Sequence, residues 1–146
     1  MQIEKLPWNI ILASKSPRRQ NLLKELGFRF EIKTKDIEEV YPLELKKEAV
    51  AIFLSELKAS AFKKELNEKD LVLTSDTIVC LGNEILGKPK DSEAAKIMLG
   101  KLSGKKHEVI TAVTLSSLEK THTFYGVTEV FFKSLTEEEI NYYIEN

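Results

Sequence analysis

Two periods run through the hydrophobic pattern. Trp8-Asn9-Ile10-Ile11-Leu12 is a short apolar run and predicts a buried strand. Gln20-Asn21-Leu22-Leu23-Lys24-Glu25-Leu26 has the spacing of an amphipathic helix, with Ser16 as its N-cap, Pro17 at its first position and Gly27 closing it. Residues 28–34 alternate apolar and polar, which predicts a strand with one covered face. From 45 to 66 the period is helical, with Val50, Phe53, Leu54, Leu57 and Ala61 in one stripe. Residues 71–81 are aliphatic and β-branched and predict a central strand. Gly82-Asn83 turns the chain into a short return strand at 84–86, and Asp91 or Ser92 caps a helix over 93–102. Residues 108–116 predict a further strand and 120–135 one or two more, with Gly126 as a bulge, together a long antiparallel hairpin. Thr136 and Glu139 form a capping box for a last helix at 140–144.

Composition narrows the class. The 146 residues are 42% hydrophobic and 31% charged, which fits one soluble domain with its own core. A net charge of −1 gives no global basic field for nucleic acid, so an anion site has to be built locally. No apolar run reaches the roughly 18 residues of a membrane helix. The first residues, Met1-Gln2-Ile3-Glu4-Lys5, do not read as a signal peptide. Cys80 is the single cysteine, which excludes an internal disulfide and fits a reducing, cytoplasmic compartment. Cys80, His107 and His122 do not have zinc-site spacing.

Against this background a few polar residues stand out. Arg18 and Arg19 fall in the first turn of a helix, where the dipole disfavours cations by roughly 0.3–1 kcal/mol per charge. They are either solvated or serve, with the Ser14 and Ser16 hydroxyls, to hold an anion such as phosphate. Asp76 lies inside an apolar strand, between Ser75 and Thr77. Either a bend there opens the strand to water, or the carboxylate is a metal ligand or general base. Lys58 edges the helical stripe, where a lysine ordinarily snorkels. Lys88, held extended between Gly87 and Pro89, is a loop residue or a fixed phosphate contact. Glu38 and Glu39 read as a solvated acidic turn.

Taken together, these residues resemble the Maf family of nucleoside triphosphate pyrophosphatases. The matches are Leu12-Ala13-Ser14-Lys15-Ser16-Pro17-Arg18-Arg19, Ile37-Glu38-Glu39, Lys58-Ala59, Ser75-Asp76-Thr77-Ile78-Val79, Gly87-Lys88-Pro89, Leu102-Ser103-Gly104, His107-Glu108-Val109 and Leu135-Thr136. They stand in the family's order over nearly the whole chain. The resemblance implies an α/β fold, an elongated mixed sheet with flanking helices like inosine triphosphate pyrophosphatase, with a cleft between two lobes. It implies hydrolysis of a nucleoside triphosphate to the monophosphate and pyrophosphate. Asp76, Lys88 and Lys58 become the catalytic candidates. Ser14, Ser16, Arg18, Arg19 and Thr77 become substrate-binding residues. Glu38 and Asp76 become partial ligands for a divalent cation, Mg²⁺ or Mn²⁺. Arg18 and Thr77 match the branch that prefers dTTP and UTP. A homodimer is compatible with this reading; nucleic acid and membrane are not expected partners.

One departure qualifies the reading. Family members continue with a segment like Asp-Lys-Ala-Gly-Ala-Tyr-Gly-Ile-Gln-Gly, whereas these residues end at Glu145-Asn146. The expectation is a single domain over 1–146 that lacks the family's C-terminal part. The alternative function is a non-catalytic nucleotide-binding or septum-regulating module that kept the phosphate cradle.

Overall fold

A computed structural model describes residues 7–145. Met1 to Lys5, and the reading made of them, lie outside those residues. The elements in order are β1 (Asn9–Leu12), α1 (Pro17–Glu25), β2 (Phe30–Ile32), α2 (Glu48–Ser60), β3 (Asp70–Leu81), β4 (Glu84–Leu86), α3 (Ser92–Leu102), β5 (Lys106–Ser116), β6 (Thr121–Phe131) and α4 (Glu137–Glu145).

The strands form one mixed sheet in the order β2-β1-β3-β5-β6, with β4 also on β3. β1 is parallel to both β2 and β3, while β4, β5 and β6 join antiparallel. Each parallel pair needs a helical crossover, which α1 and α2 supply. The chain steps from β1 outward to β2, then back across to β3. Right-handed crossovers therefore put α1 and α2 on opposite faces of the sheet.

β3 organises the rest. On one edge it pairs with β5 continuously from Val72 to Cys80. Its other edge is shared, β1 covering residues 70–73 and β4 residues 79–81. Among the described residues, no strand pairs with 74–78 on that side. The strand does not bend at Ser75-Asp76-Thr77, and both Ser75 and Asp76 are buried.

The core lies between α2 and the sheet. Val50, Ala51 and Leu54 pack on Ile78, Cys80, Ile110 and Ala112, and Ala59 and Phe62 join Ile11, Leu66 and Val72. The buried face of α2 is thus rotated from the predicted stripe. Ala51, Ser55 and Ala59 are buried, whereas Phe53, Leu57 and Ala61 are only half-buried. Small residues allow the helix backbone to lie close to the strands, and Ser55 satisfies its hydroxyl there by a 2.7 Å bond with Thr114.

Other expectations need smaller corrections. The predicted helix over 45–66 starts later, after Lys47 at φ +50°, and its C-terminal part is a turn and a 3₁₀ turn, Lys63–Glu65. α1 buries none of its residues, and Leu22 and Leu26 are more than half exposed. β6 is unbroken, with Gly126 opposite Thr111 in register, so there is no bulge. The capping box forms: Glu139 N–H donates to Thr136 Oγ1 at 3.1 Å and Thr136 N–H to Glu139 Oε1 at 3.2 Å.

Candidate active site

A cavity of about 490 Å³ lies where β1 ends beside the uncovered edge of β3. Five cationic side chains line it, Lys15, Arg19, Lys35, Lys58 and Lys88, against two carboxylates, Asp36 and Glu39. In a chain of net charge −1 this is a strong local excess of positive charge.

The β1–α1 junction forms one wall. Ser16 caps α1, its Oγ accepting from the Arg19 N–H at 3.4 Å. Ser14 Oγ accepts from the Ser16 N–H at 3.1 Å, and the Gln20 side chain donates to the Ser14 carbonyl at 3.0 Å. Both hydroxyl oxygens are engaged as acceptors, so each keeps its hydrogen for an incoming anion. The helix dipole adds positive potential at the same place.

The arginines separate. Arg19 lines the cavity and donates from Nη2 to Thr77 Oγ1 at 2.9 Å; Thr77 in turn bonds Thr111 at 2.9 Å. Arg18 is exposed and outside the lining. Lys88 lines the cavity from the loop after β4.

The third wall is α2. The Lys58 Nζ enters the open edge of β3, donating to Asp76 Oδ1 at 2.8 Å and to the Ser75 carbonyl at 3.3 Å. It also pairs with Glu39 Oε1 at 3.1 Å. Burial pushes the Asp76 carboxyl above the usual carboxylate range, against the pull of the Lys58 hydrogen bond and charge, with Glu39 adding to the rise. Asp76 is 7% exposed, so desolvation outweighs its partner. A carboxylate made more basic and bonded to a lysine that lines a cationic cavity can accept a proton from water that reaches it.

The structure thus brings Lys58, Lys88, Arg19, Ser14 and Ser16 around one cavity, with Thr77 behind Arg19 and Asp76 behind Lys58, outside the lining but bonded to its ammonium. Among the acidic pair it is Glu39 that reaches Lys58, while Glu38 is exposed and outside the lining. Segment 33–40 has no regular structure, so no periodicity in the sequence could say which neighbour faces the cavity. Among the described residues no cluster of three or more His, Cys, Asp or Glu side chains has the geometry of a metal cage. What does fit a cation is the convergence of Glu39 and Asp76 on one ammonium. Two carboxylates suit a hard divalent ion that keeps waters and takes its other ligands from phosphate oxygens.

The chain is 51% identical over 139 residues to a dTTP/UTP pyrophosphatase of Flavobacterium johnsoniae, covering 95% of this chain and 72% of that one. It is 49% identical to a dTTP/UTP pyrophosphatase of Cytophaga hutchinsonii, covering 94% of this chain and 63% of the relative. The fold is similar to that of the Staphylococcus aureus Ham1 protein, with a TM-score of 0.57 at 20% identity over 84% of this chain and 71% of that one. The family model described as Maf-like protein matches residues 9–146, and the chain belongs to that family.

Proposed function

We propose that this chain hydrolyses dTTP and UTP to the monophosphate and pyrophosphate. The observation that carries the reading is the cationic cavity at the gap in the sheet, with the buried Asp76–Lys58 pair at its edge. The activity named for its relatives supplies the substrate class.

Water attacks the α-phosphorus, and the bond to the bridging oxygen of the pyrophosphate breaks. Asp76 orients the water and takes its proton. The Ser14 and Ser16 hydroxyls, the N-terminus of α1, Arg19 and Lys88 bear the negative charge of the phosphate chain, which grows on the leaving pyrophosphate, with Arg18 outside the lining in the same first turn. Lys58 keeps Asp76 in place and faces the same charge. Glu39 and Asp76 would hold Mg²⁺ or Mn²⁺, with Glu38 adjacent in the same acidic turn. The ion supplies charge neutralisation on the phosphates. Thr77 holds Arg19 in place, and Thr77 and Arg18 are the positions at which the chain resembles the dTTP/UTP-preferring branch. Free, buried Cys80 suits the cytoplasm. No helix among the described residues is long and apolar enough to cross a membrane.

Incubating the chain with dTTP and Mg²⁺ tests the reading. The expected products are dTMP and pyrophosphate, and Asp76→Asn lowers turnover on the order of 10²–10⁴-fold with nucleotide still bound. Release of dTDP and orthophosphate, or normal turnover in Asp76→Asn, refutes it.

A further inference from the structure

Segment 33–40 forms the acidic wall of the cavity, yet it makes few backbone hydrogen bonds: Lys33 N–H to the Leu12 carbonyl at 3.2 Å and Val40 N–H to the Glu38 carbonyl at 2.9 Å. Side chains hold it instead. Asp36 pairs with Lys15 at 2.9 Å, but both are largely exposed, at 95% and 70%, and such a pair contributes little. Glu39 pairs with Lys58 at 3.1 Å, an attachment that a bound anion competes for.

Lys35 is different in kind. Its Nζ donates to the Ala61 carbonyl at 3.0 Å and to Glu65 Oε1 at 2.6 Å, and it sits 5.2 Å from the centre of the Phe62 ring. Ala61 is the C-cap of α2, where the helix leaves carbonyls unpaired and a negative dipole end that favours a cation. Phe62 is 1% exposed, so the ring beneath the ammonium is part of the core, while the Glu65 carboxylate stands at the surface, its side chain 55% exposed. Lys58 leaves the same helix three residues before Ala61. The two ends of the contact between Glu39 and Lys58 are therefore referred to one rigid helix terminus, one directly and one through Lys35.

We infer that Lys35 is a positioning residue. It clamps the acidic wall to the C-terminus of α2 and so sets Glu39 beside Lys58 and Asp76, ready for a triphosphate and its cation. The inference rests on the cavity being the triphosphate site, and the experiment separates the two. Lys35→Met keeps the stem over Phe62 and removes the charge and donors; Lys35→Arg keeps cation and donors. The first readout needs no nucleotide: amide hydrogen exchange at Lys33 and Val40, the hydrogen-bonded amides on either side of the clamp. Lys35→Met should speed it at least about tenfold with an unchanged unfolding midpoint, and Lys35→Arg should restore most of the protection. The second readout is hydrolysis of dTTP with Mg²⁺. There KM should rise about tenfold in Lys35→Met while kcat changes less than about threefold, a split that general destabilisation would not produce. Glu65→Gln, which weakens the clamp without removing it, serves if Lys35→Met does not fold, and should give smaller changes in the same direction. Unchanged exchange in Lys35→Met, or in Glu65→Gln where that variant stands in, overturns the clamp whatever the activity. Faster exchange with an unchanged KM in an active enzyme overturns its role at the site. Faster exchange in a chain whose unaltered form does not hydrolyse dTTP upholds the clamp and removes the triphosphate reading.

Discussion

Replacing Lys58 by Met should damage the fold more than replacing its partner Asp76 by Asn, because the two ends of the pair are buried unequally. Asp76 is 7% exposed overall, while the Lys58 side chain is 23% exposed and has a second carboxylate at 3.1 Å in Glu39. Removing one partner of a fully buried pair costs about 3–5 kcal/mol. The partial exposure of Lys58 lowers this, and so does the ability of Asp76 to protonate. We expect Lys58→Met to cost about 2–3 kcal/mol at neutral pH. In Asp76→Asn the ammonium keeps Glu39, the Ser75 carbonyl and an amide oxygen, so the cost stays within about 1 kcal/mol. The double variant leaves no buried charge and should recover most of the loss. Urea unfolding with a common m-value is the assay. The pH dependence has a definite sign. Asp76 is already raised by burial, and loss of Lys58 raises it further. The folded state then holds a proton that the unfolded chain releases near the ordinary carboxylate value, so stability falls as pH rises through that interval and returns on acidification. The deficit of Lys58→Met should therefore shrink towards pH 5. An Asp76→Asn as unstable as Lys58→Met, or a deficit that grows on acidification, refutes the reasoning.

Arg19→Ala should weaken triphosphate binding several-fold more than Arg18→Ala, since only Arg19 lines the cavity and is held by Thr77; calorimetry showing equal losses would contradict this. Gly104→Ala should lower stability by about 1–2 kcal/mol, because φ is +67° and a Cβ would meet Ser134 Oγ at 3.0 Å; an unchanged melting temperature would contradict it.

Much of the fold was legible because its signals are local. The cap at Ser16, the box at Thr136 and Glu139, and the apolar runs of β3 and β5 each depend on residues within one turn or one strand. The rotation of α2 was not, since Ala51, Ser55 and Ala59 are buried for their smallness, which a hydrophobic stripe does not record. Asp76 was conspicuous as a charge in an apolar strand, and Lys58 gained a role only through the family resemblance. Lys35 gave no signal: its partners, Ala61, Phe62 and Glu65, lie 26 to 30 residues away across a crossover. The gap in the sheet was equally invisible, because it arises from two separate strands each stopping short.

That gap has a mechanical meaning. Over residues 74–78 the sheet is joined laterally on one side only, by β5. The lamina of β1 and β2 and the lamina of β4 meet along β3 with a notch between them. A change in the twist of β3 there alters the width of the notch without breaking a ladder hydrogen bond on that edge. In a continuous sheet the same change would have to shear every neighbouring strand. The notch thus leaves the main chain of β3 without a ladder partner on that edge, and α2 supplies one from a side chain, the Lys58 ammonium on the Ser75 carbonyl.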